Sequence, residues 1–130
     1  LLRAEGYKAA KDVPVHMADV MVVLTTVPGT HSDALVRGVL GNRLAACVNE
    51  FPVRSHYWWH DAIVEDDERM LVMKTTREHV QALIDGIRAV HPYEIPEIIA
   101  LPVMAGFTGY LSWVAAETGE RRHVPDGNCF

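Results

Sequence analysis

The sequence predicts an α+β domain of ferredoxin-like order, β-α-β-β-α-β, with one extra short helix near its C-terminal end. Three observations point there. A β-branched run, Val20 to Val27, is broken by Pro28-Gly29 and followed by helical spacing. The middle of the chain alternates as strands with no helix between them. A second helical stretch is then cut by Pro92, and an apolar strand follows it.

The elements follow in order. VMVVLTTV is long and apolar enough for a buried central strand. Thr30 or Ser32 is placed to cap a helix running to about Ala45, with Leu35, Val36, Val39, Leu40 and Leu44 as its apolar stripe. Gly38 and Gly41 each weaken that helix by about 1 kcal/mol against alanine, and close backbone contact is the expected compensation. Ala46 to Val53 reads as a second strand ending near Pro52. Ser55 to Ile63 and Met70 to Thr75 read as further strands, around a solvated acidic loop, Glu65–Asp66–Asp67–Glu68.

Thr75-Thr76-Arg77-Glu78 has the form of a capping box. Val80, Leu83, Ile84, Ile87 and Val90 then recur at helical spacing until Pro92 ends the helix. Ile95 to Val103 reads as a strand with Ile95, Glu97, Ile99 and Leu101 on one face. Tyr110 to Thr118 is the short final helix. An antiparallel sheet of this order is covered by helices on one face. Its other face would carry Tyr57, Trp58, Trp59, Met70 and Met73, too much apolar surface to leave wet, so an oligomer is expected.

At 130 residues the chain suits one domain, able to bury roughly 70% of its unfolded surface. The domain is assigned to 18–119. Residues 1–17 form an N-terminal extension in which Met17 is a candidate start and the residues before it a candidate tag or read-through. Residues 120–130 form a polar tail. The 17 acidic against 12 basic residues argue against a nucleic-acid or anionic-membrane partner. Cys47 and Cys129 are far apart and outside any C-x-x-C motif, as expected of free thiols in a reducing cytosol. No apolar run reaches the roughly 18 residues of a membrane helix. A cytoplasmic location is expected.

The chemical candidates begin with HPYEIPEI, from His91 to Ile98. Glu97 shares its strand face with aliphatic side chains, which is costly without a partner. Lys74, in MLVMKTT, has the same oddity beside Met70 and Val72, so the two are candidates to pair across the sheet or across a subunit boundary. The alternative is that Lys74 extends to water from a strand end. His91, at a helix C-terminus, suits either capping or metal binding. His56 and His60 lie about 13 Å apart on a strand and cannot share a metal within one chain. Cys47 reads as a buried structural cysteine. No phosphate-binding glycine loop, G-x-S-x-G elbow, H-E-x-x-H or calcium-loop pattern is present in the sequence.

Six ordered blocks resemble the CutA family of divalent-cation tolerance proteins: VVLTTVP, RLAACVN from Arg43, YWW from Tyr57, KTTRE from Lys74, HPYEIPEI from His91 and YLSW from Tyr110. They span about Val20 to Glu117. The resemblance implies a ferredoxin-like fold assembled as a tight homotrimer, similar in plan to PII signalling proteins, and a link to tolerance of copper and other divalent metals. It brings no catalysed reaction. In some bacterial members a first-strand cysteine and a histidine pair before Pro-Tyr are the proposed copper ligands. Here threonine stands in Leu24-Thr25-Thr26, and Val90-His91 supplies a single histidine. His60-Asp61-Ala62 also replaces the usual Glu-Gly turn.

The resulting expectation is a non-enzymatic cytoplasmic homotrimer binding a divalent metal, copper first, or a small ligand at intersubunit clefts. His91 and Glu97 are the metal candidates. Cys47, Trp59, Lys74, Tyr93, Tyr110 and Trp113 match family blocks and are the cleft candidates. Two other readings compete: a PII-like interaction module using the acidic hairpin, and an enzyme using Lys74 and Glu97 as an acid–base pair.

Overall fold

The computed structural model describes residues 19–119. The expected extension at 1–17 and tail at 120–130, including Cys129, lie outside them. The elements are β1 (Val20–Val27), α1 (Gly29–Gly41), β2 (Cys47–Trp59), β3 (Ala62–Thr76), a 3-10 turn (Arg77–His79), α2 (Val80–Val90), β4 (Ile98–Pro102) and α3 (Thr108–Glu117). One antiparallel sheet runs β2-β3-β1-β4, the ferredoxin-like arrangement.

Strand parity divides the sheet. Val23, Val27, Leu71 and Met73 face α1 and α2, where Leu35, Val39, Leu83 and Ile87 complete the buried core. Met73 therefore belongs to that core and not to the open face expected for it. Val22, Leu24, Val72, Ile99 and Leu101 point the other way. The helices are not confined to one face: α3 packs Leu111 and Val114 on Val20 at one end of the open side. The rest of that side stays apolar and exposed, with Phe51 at 45%, Ile99 at 47% and Leu101 at 48%.

The middle of the chain holds two long strands where the sequence suggested three shorter ones. β2 runs straight through Pro52, which is tolerated because β2 is an edge strand and needs no ladder donor on its outer side. The acidic run Glu65–Glu68 is strand, not loop: it lies within β3, paired to Val53–His56. β1 pairs with β3 only from Arg69 to Thr76, so from Val53↔Glu68 to Trp59↔Ala62 the two strands form a free-standing ribbon. Its tip is a two-residue turn, with His60 (φ 48°) and Asp61 (φ 61°) both left-handed. That geometry matches the right-handed twist of the strands but favours Asn-Gly over these residues.

The helix ends also depart from expectation. α1 starts at Gly29 and stops at Gly41, and its N-terminus has no side-chain cap. The Ser32 hydroxyl turns back to donate to the Gly29 carbonyl at 3.1 Å. A methyl group built on Gly38 or Gly41 would meet nothing within 4 Å, so no close contact compensates for either glycine. The capping box does not form. The Thr75 hydroxyl donates to the Leu44 carbonyl at 2.7 Å, and the Thr76 hydroxyl lies 2.7 Å from His79 Nδ1. Tertiary partners outcompete the local cap. β4 begins at Ile98, so Ile95, Pro96 and Glu97 stay outside it.

Candidate functional site

The loop between α2 and β4 crosses the base of the ribbon, and a cavity of about 760 Å³ opens between them. Its floor is Thr26 and Glu68, its ribbon wall includes Ser55, Tyr57 and Trp59, and its loop wall runs from Pro92 to Glu97. Among the described residues no lysine or arginine lines it.

His91 fixes the loop. Pro92 forbids His91 a helical conformation, and the residue is extended at φ −70°, ψ 134°. Its amide still donates to the Ile87 carbonyl at 2.9 Å. The imidazole turns inward, 9% exposed. Nε2–H donates to the Thr26 carbonyl at 2.8 Å, and Nδ1 accepts from the Tyr93 amide at 3.2 Å, which assigns the neutral Nε2–H tautomer. Neither nitrogen keeps a free lone pair. A metal on His91 would have to displace one of these bonds, so in this arrangement the ring serves as a clasp between β1 and the loop.

Tyr93 extends the clasp to β3. Its ring leans on His91 at 4.9 Å between centroids, and its hydroxyl donates to Glu68 Oε2 at 2.8 Å. Burial, then the bond to the Glu68 carboxylate, pushes the phenol pKa well above its ordinary value. Glu68 is 6% exposed, and no basic group pairs with it among the described residues. A carboxylate that dry and without a counter-charge is unusual. On the ribbon, the Tyr57 hydroxyl donates to Asp66, which raises its pKa in the same sense.

The sequence candidates separate into two groups. Trp59, Tyr93 and Glu97 line the cavity, and His91 anchors its wall. Cys47, Lys74, Tyr110 and Trp113 meet at the other end of the open face, under α3. Lys74 Nζ lies 3.9 Å from the buried Cys47 thiol and 3.5 Å from the Val72 carbonyl. The Tyr110 hydroxyl is buried with no partner in bonding geometry among the described residues; burial, then the adjacent Cys47, raises its pKa. The Tyr110 and Trp113 rings pack at 5.7 Å.

The Lys74–Glu97 pair is not assembled within the chain. Lys74 shares a row with Cys47, Val22 and Leu101, whereas Glu97 lies four residues before Leu101, about 13 Å along the strand direction. Glu97 is exposed on the cavity rim. Glu68 and Tyr57 are not among the site candidates read from the sequence, which places Glu68 in a solvated loop and Tyr57 on the oligomer face. The available signal was parity: Glu68 continues the Met70, Val72, Lys74 face and so belongs to a strand. Among the described residues no three His, Cys, Asp or Glu side chains converge as a metal site. The donors fit a bare transition-metal ion poorly: among the described residues no thiolate lines the cavity, and the imidazole that does, His56, holds its Nδ1 3.3 Å from Glu65.

A ferredoxin-like sheet with a long β2–β3 ribbon and an open apolar face defines a PII-like α+β protein. The chain belongs to the CutA1 divalent ion tolerance protein family, whose model matches residues 21–117. It is 42% identical over 100 residues to the divalent-cation tolerance protein CutA of Thermus thermophilus, spanning 75% of this chain and 97% of that one. It is 40% identical over 109 residues to the protein of the same name from Salmonella newport, spanning 82% and 94%. Among solved structures, CutA1 from Oryza sativa superposes with a TM-score of 0.76 at 37% identity, covering 79% of this chain and 96% of that one. The PII-like protein CutA from Nostoc sp. PCC 7120 superposes with a TM-score of 0.74 at 32% identity, covering 76% and 97%.

Proposed function

We propose that the chain acts in divalent-cation tolerance as a cytoplasmic homotrimer, and that the cavity over Glu68 is its ligand site, lying at a boundary between subunits. The names of its relatives support the tolerance role. The exposed apolar open face and the unpaired outer edges of β2 and β4 support assembly. Among the described residues no helix is long and apolar enough to cross a membrane.

The single observation that carries the site is Glu68: a buried carboxylate with no basic partner among the described residues, at the floor of a cavity that no described lysine or arginine lines. Such a site attracts a positive ligand, whether a divalent metal, copper included, or a small cationic molecule. Glu68 supplies the charge, Glu97 is the second oxygen donor at the rim, and Trp59 and Tyr93 are the walls. His91 positions the loop. Cys47, Lys74, Tyr110 and Trp113 form a packing cluster under α3. No catalysed reaction is assigned; Lys74 and Glu97 are not together within one chain.

The test is a thermal-shift panel of copper(II), zinc(II), magnesium and organic ammonium ions on the wild type and on Glu68→Gln. At least one cation should stabilise the wild type and not the variant. Equal shifts for both proteins across the panel would remove the cavity from the proposal.

A further inference from the structure

We infer that the cavity selects a protonated amine, an organic cation carrying an N–H donor on an apolar stem, over a bare metal ion. The inference rests on the cavity being the ligand site and adds the chemical class of its occupant.

Three features of the cavity lead there. The first is size. About 760 Å³ lies within the range of small-molecule sites and far exceeds an ion of any coordination number. The second is the donor set. Hard divalent ions want six or more oxygens, and soft ones want thiolate or imidazole. Here one buried carboxylate stands on the floor, His91 has both nitrogens engaged, and the lining imidazole of His56 holds its Nδ1 against Glu65 at 3.3 Å, away from the floor. The third is the walls. Tyr93 presents aromatic surface beside that carboxylate, and Tyr57 and Trp59 carry the aromatic wall on along the ribbon. Aromatic faces attract ammonium groups and cover alkyl stems, and they offer a bare ion little.

Glu68 also has acceptor capacity to spare. An ionised carboxylate offers about four lone-pair sites, and among the described residues Glu68 takes one hydrogen bond, from Tyr93. An ammonium N–H can take another, making a charge-assisted bond in a dry setting. A quaternary ammonium has no N–H to give and should bind less well. The acidic rim, Glu94 and Glu97, raises the local concentration of cations without fixing their geometry.

The experiment is an NMR titration of the full chain in its assembled state with 4-phenylbutylamine, protonated at neutral pH, and with its uncharged analogue 4-phenylbutan-1-ol. Zinc(II) is titrated separately. The amine should bind at least ten-fold more tightly than the alcohol, with shifts centred on Trp59, Tyr93 and Glu68. Glu68→Gln should reduce that preference to within about two-fold, by loss of the charge-assisted bond. Backbone amide shifts of Thr26 and His91 in Glu68→Gln that match the wild type tell loss of the charge apart from a loosened loop. Equal binding of amine and alcohol to the wild type overturns the inference. Zinc binding at the same residues without amine binding overturns it too but leaves the cavity as the ligand site. No shift at cavity residues with any of the three overturns both.

Discussion

Replacing His91 with alanine separates its two possible roles, structural clasp and metal contact. The imidazole is 9% exposed and holds the Thr26 carbonyl at 2.8 Å and the Tyr93 amide at 3.2 Å. Losing two neutral hydrogen bonds costs about 1 kcal/mol each. The void left by the ring adds about 1–2 kcal/mol, less than for a larger apolar ring. His91→Ala should therefore destabilise the fold by about 2–4 kcal/mol. Urea denaturation at a fixed protein concentration measures this, since stability in an oligomer depends on concentration. Copper(II) affinity, followed by titration calorimetry under folding conditions, should change by less than about two-fold, because neither nitrogen is free to bind. A variant that keeps its stability to within about 0.5 kcal/mol but loses ten-fold or more in copper affinity would refute the clasp and restore His91 as a ligand.

The phenols of Tyr93 and Tyr110 have raised pKa values. Their contribution to stability is fully present below the ordinary phenol value near 10 and is lost as pH rises through the folded values, because only the unfolded chain ionises first. Absorbance titration of the folded protein should show these phenols ionising only with alkaline unfolding, and ordinary midpoints for every tyrosine would contradict that. Gly38→Ala should stabilise α1 by up to about 1 kcal/mol, since the added methyl group meets nothing within 4 Å; a loss of melting temperature would show an unseen contact. Asp61→Gly, at φ 61°, should raise stability by about 0.5–1 kcal/mol by relieving the left-handed turn, and a flat or negative result would place the turn outside the cooperative unit.

Which parts of the fold could be read from the sequence follows from what each signal measures. β1, α2 and the β-α-β-β-α-β order follow from periodicity and from Pro92, and both are local. The ribbon was misread for two local reasons that a sheet overrides. Pro52 looks like a strand end until β2 proves to be an edge, and four consecutive acids look like a loop until cross-strand partners such as Arg54 and His56 stand beside them. The capping box failed because Thr75 met Leu44, which is distant in sequence. The site divides the same way. The density of polar groups in HPYEIPEI marked the loop that walls the cavity. Parity correctly placed Ile99 and Leu101 on one face, but it could not show that this was the open face. Nor could it show that Lys74 and Glu97 lie in different rows.

The central claim is that Glu68 meets a ligand and not another part of the protein. A crystal structure of the assembled chain tests it most directly, at the second oxygen of that carboxylate. The account predicts three copies around a threefold axis, with the cavity walled by a neighbouring copy yet unfilled by it, and Tyr93 still the only side chain bonded to Glu68. A lysine or arginine of a second copy seated on Glu68 would contradict it, and would make the buried charge a device of assembly.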